Sequence, residues 1–183
     1  LYQNLIRMTD LDPEKLKQQA QVTAEKQSRL QPILSPPELE YRVRSAFTRF
    51  GGIEDFVKLE LLSGRQVYSA SIRQGESTRR LFAEVTSRTS VCDICHDVHF
   101  IYLFDRTTEV IAFEPLLLTK YGNVNWNARE ISTMRQRILG KHLTMPQPFN
   151  PSIDAISTAT MTSAIIFDSL AQGDELIGEL RDQ

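Results

Sequence analysis

Hydrophobic and polar positions alternate over residues 56–62 and again over residues 67–72, with Gly64 in the short turn between them. A period of two is typical of a β-strand with one buried face, so the two runs predict a β-hairpin. Two further apolar runs, residues 98–104 and 110–118, predict a second antiparallel hairpin inside the main sheet.

Two details of this second hairpin are open to test. Alternation along the first run predicts that Tyr102 is exposed while Ile101 or Leu103 is buried. Pro115 interrupts the second run. Because proline donates no backbone hydrogen bond, it predicts a bulge or a sheet edge at that point.

Helical periodicity is clearest in two places. Residues 38–50 repeat apolar positions with helical spacing, and a pair of glycines at 51 and 52 predicts the end of that helix. Asn127 and Glu130 form the pattern of a capping box, which predicts a helix that ends at Gly140. The predicted buried positions are Leu39, Val43, Ala46, Phe47 and Phe50 in the first helix, and Ile131, Met134, Ile138 and Leu139 in the second.

Two weaker helices complete the prediction. Ser77 is a suitable N-cap for a short helix through residue 85. Asp12-Pro13-Glu14 is a helix start, followed by a polar stretch with a thin apolar stripe that ends near residue 30. We therefore expect an N-terminal helical extension over residues 1–37 and, over residues 38–183, an α+β domain with a mainly antiparallel sheet and helices on one side.

Composition and charge argue against two classes of protein, nucleic-acid-binding proteins and proteins with a membrane-spanning helix. The chain has 183 residues, of which 41% are hydrophobic and 24% charged, and its formal net charge is −2. That balance gives no electrostatic basis for nucleic-acid binding. No apolar run approaches the roughly 18 residues of a membrane-spanning helix. Leu1 is not a natural start, so we expect that an N-terminal leader or anchor has been removed.

Both cysteines lie in one short motif, Cys92-x-x-Cys95-His96. This spacing is the attachment pattern of a c-type haem, in which the thiols hold the porphyrin and the imidazole binds the iron. The same spacing also suits a local disulfide, a redox-active dithiol or half of a zinc site.

A haem on this motif would need a ligand on the far side of the iron. His99 follows His96 by three residues, which is too close to span a haem easily. His142 and Met145 are therefore the expected candidates.

A second concentration of polar side chains precedes an apolar helical run in the last third of the chain. A hydroxyl-rich helix start offers unpaired backbone N–H groups and the positive end of the helix dipole, both suited to phosphate. An ordinary Ser/Thr-rich N-cap of a buried helix has the same composition. The candidate side chains are Asp154, Ser157, Thr158, Thr160, Thr162 and Ser163.

The segment resembles the flavin-attachment motif of the FMN-binding domains of ion-pumping quinone reductases, Rnf-type complexes and related periplasmic redox proteins. Asp154, Ser157, Ala159 and Thr160 stand at the family's motif positions, whereas Thr158 stands where glycine or serine is usual. The resemblance covers roughly residues 56–170. It implies an α+β fold and an FMN joined to Thr160 through a phosphodiester.

Together these features favour a periplasmic or otherwise extracytoplasmic electron-transfer subunit over a stand-alone enzyme. Its expected cofactors are FMN at Thr160 and, at Cys92 and Cys95, a second redox element such as haem c. Its expected partners are redox proteins in a larger membrane-associated complex. Two alternatives stay open: a c-type cytochrome without flavin, and a non-catalytic accessory or sensor subunit with a structural disulfide.

Overall fold

The computed structural model describes residues 33–88, 97–145 and 148–182. These ranges do not test three predictions: the N-terminal helix, the domain boundary at residue 37, and the role of the motif of Cys92, Cys95 and His96. Those assignments stay predictions.

The described residues form one sheet in which each strand pairs antiparallel with the next along the chain. Both predicted hairpins are confirmed, the first by pairing of Val57 with Ser69 and the second by pairing of Tyr102 with Phe113. The strands are β1 (Gly52–Glu60), β2 (Gln66–Gln74), β3 (Ser77–Arg88), β4 (Val98–Asp105), β5 (Val110–Lys120) and β6 (Val124–Asn125).

Helices before and after the strands complete the α+β fold, which confirms the predicted class. The first of them buries Val43, Ala46 and Phe47 as predicted. It ends before Gly51, whose backbone has φ +143° and passes so close to Arg73 that a Cβ atom would lie 2.2 Å from the Arg73 carbonyl oxygen. The helices are α1 (Pro36–Thr48), α2 (Ala128–Ile138), α3 (Pro151–Asp154), α4 (Thr160–Ala171) and α5 (Gly173–Arg181).

The short helix predicted from Ser77 is wrong, because this segment is strand β3. The Ser77 hydroxyl donates to the Gln74 carbonyl across the turn at Gly75 instead of capping a helix. Leu81, Ala83 and Val85 are all buried at a spacing of two. Pairing with strands on both sides overrides the weak local helix signal.

Helices cover both faces of the sheet, which corrects the expectation of helices on one side. Phe100, Tyr102 and Phe104 of β4 pack in one core with residues of α2, α4 and α5. Ile101 and Leu103 pack in a second core with α1. Tyr102 is therefore fully buried, and the prediction that it is exposed is wrong.

Two predictions at the edges of these elements are confirmed and one fails. Pro115 lies at a register shift and faces β4 alone, since β6 pairs only with Thr119 and Lys120. Asn127 and Glu130 cap α2 reciprocally. Leu139 is 38% exposed and does not belong to the buried face of α2, because the helix ends at Ile138 and the chain turns away.

Candidate cofactor site at the start of α4

Helix α4 begins at Thr160, in the middle of the hydroxyl-rich segment. Its first turn is fixed to the end of β5, because the buried Thr162 hydroxyl donates to the Thr119 carbonyl at 2.6 Å. The Thr160 side chain itself is exposed. The start of the helix is therefore anchored through Thr162 while the predicted attachment residue faces outward.

The same end of β5 also holds the start of β4. The Asp97 N–H donates to the Thr119 hydroxyl at 2.9 Å, and the Thr119 N–H donates to the Asp97 carbonyl at 3.0 Å. Asp97 directly follows His96 in sequence. The structure thus connects the predicted flavin segment and the flank of the cysteine motif through one residue, Thr119.

The turn before α4 has an uncommon backbone. Thr158 has φ +67°, in the left-handed region that costs a β-branched residue energy and costs glycine none. Ser163 closes this turn, because its hydroxyl accepts from the Ile156 N–H at 3.0 Å and donates to the Ala159 carbonyl at 2.9 Å. The Ser163 hydroxyl is consequently committed inside the fold.

Two charged side chains support the turn from outside. Arg137 of α2 donates from one guanidinium nitrogen to the carbonyls of Asp154, at 2.8 Å, and Ala155, at 2.7 Å. The Asp154 carboxylate accepts from the Asn150 N–H at 2.8 Å, which closes the one-turn helix α3. Asp154 therefore shapes the approach to the site from a half-buried position.

A surface cleft of about 470 Å³ lies between this turn and α2. Ser157 and Thr158 line one wall, and Arg129 lines the other. The N-cap residue of α4, Ala159, has no side chain that could cap the first N–H groups. An anion at this helix start would meet open backbone donors and a positive dipole. The full lining is Asn127, Arg129, Glu130, Thr133, Arg137, Ile156, Ser157 and Thr158.

The structure places two of the three predicted metal ligands, His142 and Met145, away from this site, and the third, His96, lies outside the described residues. The His142 Nδ1 atom lies 3.0 Å from the Thr107 carbonyl, beside the β4–β5 turn, and Met145 follows in the same loop with 59% of its surface exposed. Strand β4 has eight residues, so its two ends are about 25 Å apart. The structure therefore does not bring His142 and Met145 together with Asp97.

His99 is a further candidate metal ligand, although it lies only three residues after His96 in sequence. It is 2% exposed, and neither ring nitrogen has a hydrogen-bond partner among the described residues. The Nε2 atom lies 3.9 Å from Asp97 Oδ1. Burial lowers the pKa of His99 although Asp97 opposes the shift, so the imidazole is favoured in its neutral, ligand-competent form. Its position inside the apolar run of residues 98–104 was the sequence signal for burial.

A second missed cluster joins Glu84 of β3 to Tyr102 of β4, which pair across the two strands. Glu84 alternates with Leu81, Ala83 and Val85, so it lies on the opposite face of β3, and its burial follows from the helices that cover that face rather than from any sequence signal. In the described residues, no group of three or more His, Cys, Asp or Glu side chains could hold a metal ion.

Comparisons with family models, with curated proteins and with solved structures found no match for this chain. Among the described helices, none is both long and apolar enough to cross a membrane.

Proposed function

We propose that this protein is an extracytoplasmic electron-transfer protein that binds FMN at the start of α4, with Thr160 as the attachment residue. The observation that carries the proposal is the exposed Thr160 on a first helical turn without a side-chain cap. A phosphate ester at Thr160 would lie against the free N–H groups of that turn.

The surrounding side chains fit a phosphate as well. Thr160 is two residues from Thr158, which lines the cleft, and Arg129 stands on the opposite wall. Arg129 makes no ion pair with any described residue. A guanidinium is well matched to phosphate oxygens, so Arg129 is the side chain expected to neutralise the anion.

The backbone at Thr158 supports the resemblance in the sequence. The FMN-binding family usually has glycine or serine at this position. The left-handed φ of +67° is a conformation that glycine adopts without strain. Threonine at position 158 therefore costs conformational energy, although the backbone there keeps the conformation that the family's glycine would adopt.

Bound FMN would supply transfer of one or two electrons. The residues of this chain would do the rest. Thr160 would hold the phosphate, while Thr162 and Ser163 hold the turn rigid through their buried hydrogen bonds. Thr119 links this turn to Asp97, the residue that directly follows the predicted Cys92-x-x-Cys95-His96 motif in sequence. Redox proteins of a membrane-associated complex are the expected partners.

The test uses protein purified from its native source, since covalent attachment need not occur in recombinant cytoplasmic protein. We expect a flavin absorption band that survives denaturation and an intact mass increased by that of FMN minus one water, the change for a phosphodiester bond to the Thr160 hydroxyl. Thr160→Ala should remove both. Ser152→Ala, which deletes an exposed hydroxyl on the neighbouring helix α3, is the matched control and should leave both unchanged.

Other outcomes discriminate the alternatives. Denaturation-resistant flavin in the Thr160→Ala variant would place the attachment elsewhere. A reducible Soret band without a flavin band would indicate a c-type cytochrome. A spectrum without either band, with the cysteines resistant to alkylation until reduced, would support the accessory subunit with a disulfide.

A further inference from the structure

A buried polar cluster lies under the other end of α4. The Tyr102 hydroxyl donates to Glu84 Oε2 across the β3–β4 pair. Glu84 is 7% exposed and Tyr102 is fully buried. The second carboxyl oxygen, Oε1, is not used in this bond and faces Arg65. The cluster is separate from the cleft beside Thr158, and nothing in the proposed flavin chemistry uses it.

Arg65 enters the cluster from the turn before β2. Its Nη1 atom lies 3.7 Å from Glu84 Oε1, which is too long for a hydrogen bond. That nitrogen is buried and has no hydrogen-bond partner among the described residues. The Nη2 atom donates to Gln172 Oε1 at 3.3 Å and lies 3.9 Å from the exposed carboxylate of Glu175. Arg65 is therefore held in place through Nη2, while the N–H groups of Nη1 have no acceptor among the described residues.

The protonation state of Glu84 decides whether Arg65 Nη1 faces a negative charge. Burial raises the pKa of Glu84, against the lowering effects of the Tyr102 hydrogen bond and the Arg65 charge, and the Glu179 charge on α5 raises it further. When Glu84 takes up a proton, the guanidinium of Arg65 loses its nearest counter-charge. A buried cationic nitrogen without an acceptor is unfavourable, so an external anion would be stabilised beside it.

An opening for such an anion is present. A cleft of about 320 Å³ is lined by Arg65 and Glu84, together with Ser169 and Gln172 from α4 and its C-terminal end. Arg88 also borders it, but its guanidinium already pairs with Asp168 at 2.9 Å. The cleft is thus bordered by Arg65, whose buried Nη1 atom has no acceptor among the described residues, and by the buried carboxyl group of Glu84.

We propose that this cleft binds a small carboxylate ligand, whose oxygens accept from Arg65 Nη1 and from the protonated carboxyl group of Glu84. A singly charged carboxylate fits better than a phosphate dianion, because the negative charges of Asp168, Glu175 and Glu179 lie around the cleft. Binding takes up one proton wherever Glu84 is ionised in the free protein. No covalent step is involved.

The sign of the pH dependence follows from this proton. Affinity is highest where Glu84 is protonated and falls as pH rises through its raised pKa, by about tenfold per pH unit for one coupled proton. The charged and titratable groups that face Glu84 or its guanidinium partner are Arg65, Tyr102, Glu175 and Glu179. Burial and Glu84 raise the pKa of Tyr102 well above this range, so Tyr102 stays neutral throughout it.

The experiment titrates the full chain with sodium acetate at constant ionic strength, by calorimetry in two buffers of different protonation enthalpy. Acetate should bind with proton uptake, and Arg65→Gln should weaken binding at least tenfold. Arg73→Gln, which removes an exposed arginine that pairs with Glu54 on the edge hairpin, is the matched control and should bind like the parent.

Glu84→Gln keeps a neutral hydrogen-bonding group of the same shape. It should still bind acetate, without proton uptake and without the pH dependence, and this result would support the proposal even if Arg65→Gln did not fold. Absence of acetate binding to the parent chain, equal binding by folded Arg65→Gln, or an unchanged pH dependence in Glu84→Gln would overturn it. Tighter binding of inorganic phosphate than of acetate would overturn the assignment to a carboxylate.

Discussion

The two faces of the sheet are built differently. The face under α2, α4 and α5 is rich in aromatic side chains, with Phe100 and Phe113 in contact at 5.2 Å between ring centroids. The face under α1 is mostly aliphatic and is covered by a single described helix. Both clefts described above lie on the first face, at the two ends of α4.

The hydrogen bonding of buried polar groups also differs between the two faces. On the three-helix face, Glu84 bonds to Tyr102 and Thr162 bonds to Thr119. Strand alternation puts His99 on the α1 face with Ile101 and Leu103, where its ring nitrogens have no partner among the described residues. On the three-helix face a helix side chain bonds to the sheet, as Thr162 does, and neighbouring strands pair Tyr102 with Glu84, whereas one helix on an aliphatic surface mainly excludes water.

The largest expected effect is on the α1 face. Phe47→Ala removes a fully buried ring from the helix that covers it, so we expect a loss of about 3–5 kcal/mol in the free energy of unfolding. Urea denaturation followed by circular dichroism measures it. Tyr41→Ala on the exposed side of the same helix is the control. A loss below about 1 kcal/mol for Phe47→Ala would show that α1 is not an integral cover of this face.

A smaller effect distinguishes the polar groups of the two faces. Tyr102→Phe leaves the buried Glu84 carboxyl without its hydrogen-bond donor and should cost about 1–3 kcal/mol. Tyr68→Phe on the α1 face removes a hydroxyl that only accepts from Gln66 at 3.1 Å, and should cost about 0.5–1.5 kcal/mol. Equal losses for the two variants in urea denaturation would contradict the difference between the faces.

The third prediction concerns pH. Burial holds the pKa of His99 below its ordinary value, so the unfolded chain binds a proton near pH 6.5 that the native chain does not. Stability should therefore fall as pH drops below about 6.5, by up to about 1.4 kcal/mol per pH unit until the lowered pKa is reached.

Unfolding free energies at several pH values between neutrality and pH 5 measure this slope. His99→Leu should flatten it, while Leu62→Ala, a change at a fully exposed apolar side chain, should leave it in place. A His99→Leu variant with an unchanged slope would assign the pH dependence to other groups.

The smallest expected effect is at the cleft beside α4. Thr158→Gly replaces a β-branched residue at φ +67° with the residue that prefers this conformation, which should stabilise the fold by up to about 1 kcal/mol. Thermal unfolding measures it, and Thr48→Gly at the end of α1 is the control that should destabilise. Destabilisation by Thr158→Gly would mean that the threonine side chain has a positive role in the cleft.

Much of the fold was determined by local sequence. Alternation with a glycine turn was sufficient for the hairpin of β1 and β2, and Asn127 with Glu130 was sufficient for the start of α2. The start of α4 among the hydroxyl residues, with Thr160 exposed, was likewise accessible from the pattern. These features depend on residues a few positions apart, where backbone preference and capping act directly.

Only the tertiary structure determined the type of β3 and which of the hydroxyl side chains are buried in hydrogen bonds. Ser77 could cap a helix, yet strands on both sides of the segment made it β3. Thr162 and Ser163 belong to the same hydroxyl run as Thr160, but packing against Thr119 and Ile156 turned them into buried hydrogen bonds. Strong local signals set the type of β1, β2 and α2, while the type of β3, and the burial, hydrogen-bond partners and pKa values of the polar groups, depend on residues distant in sequence that only the assembled fold brings into contact.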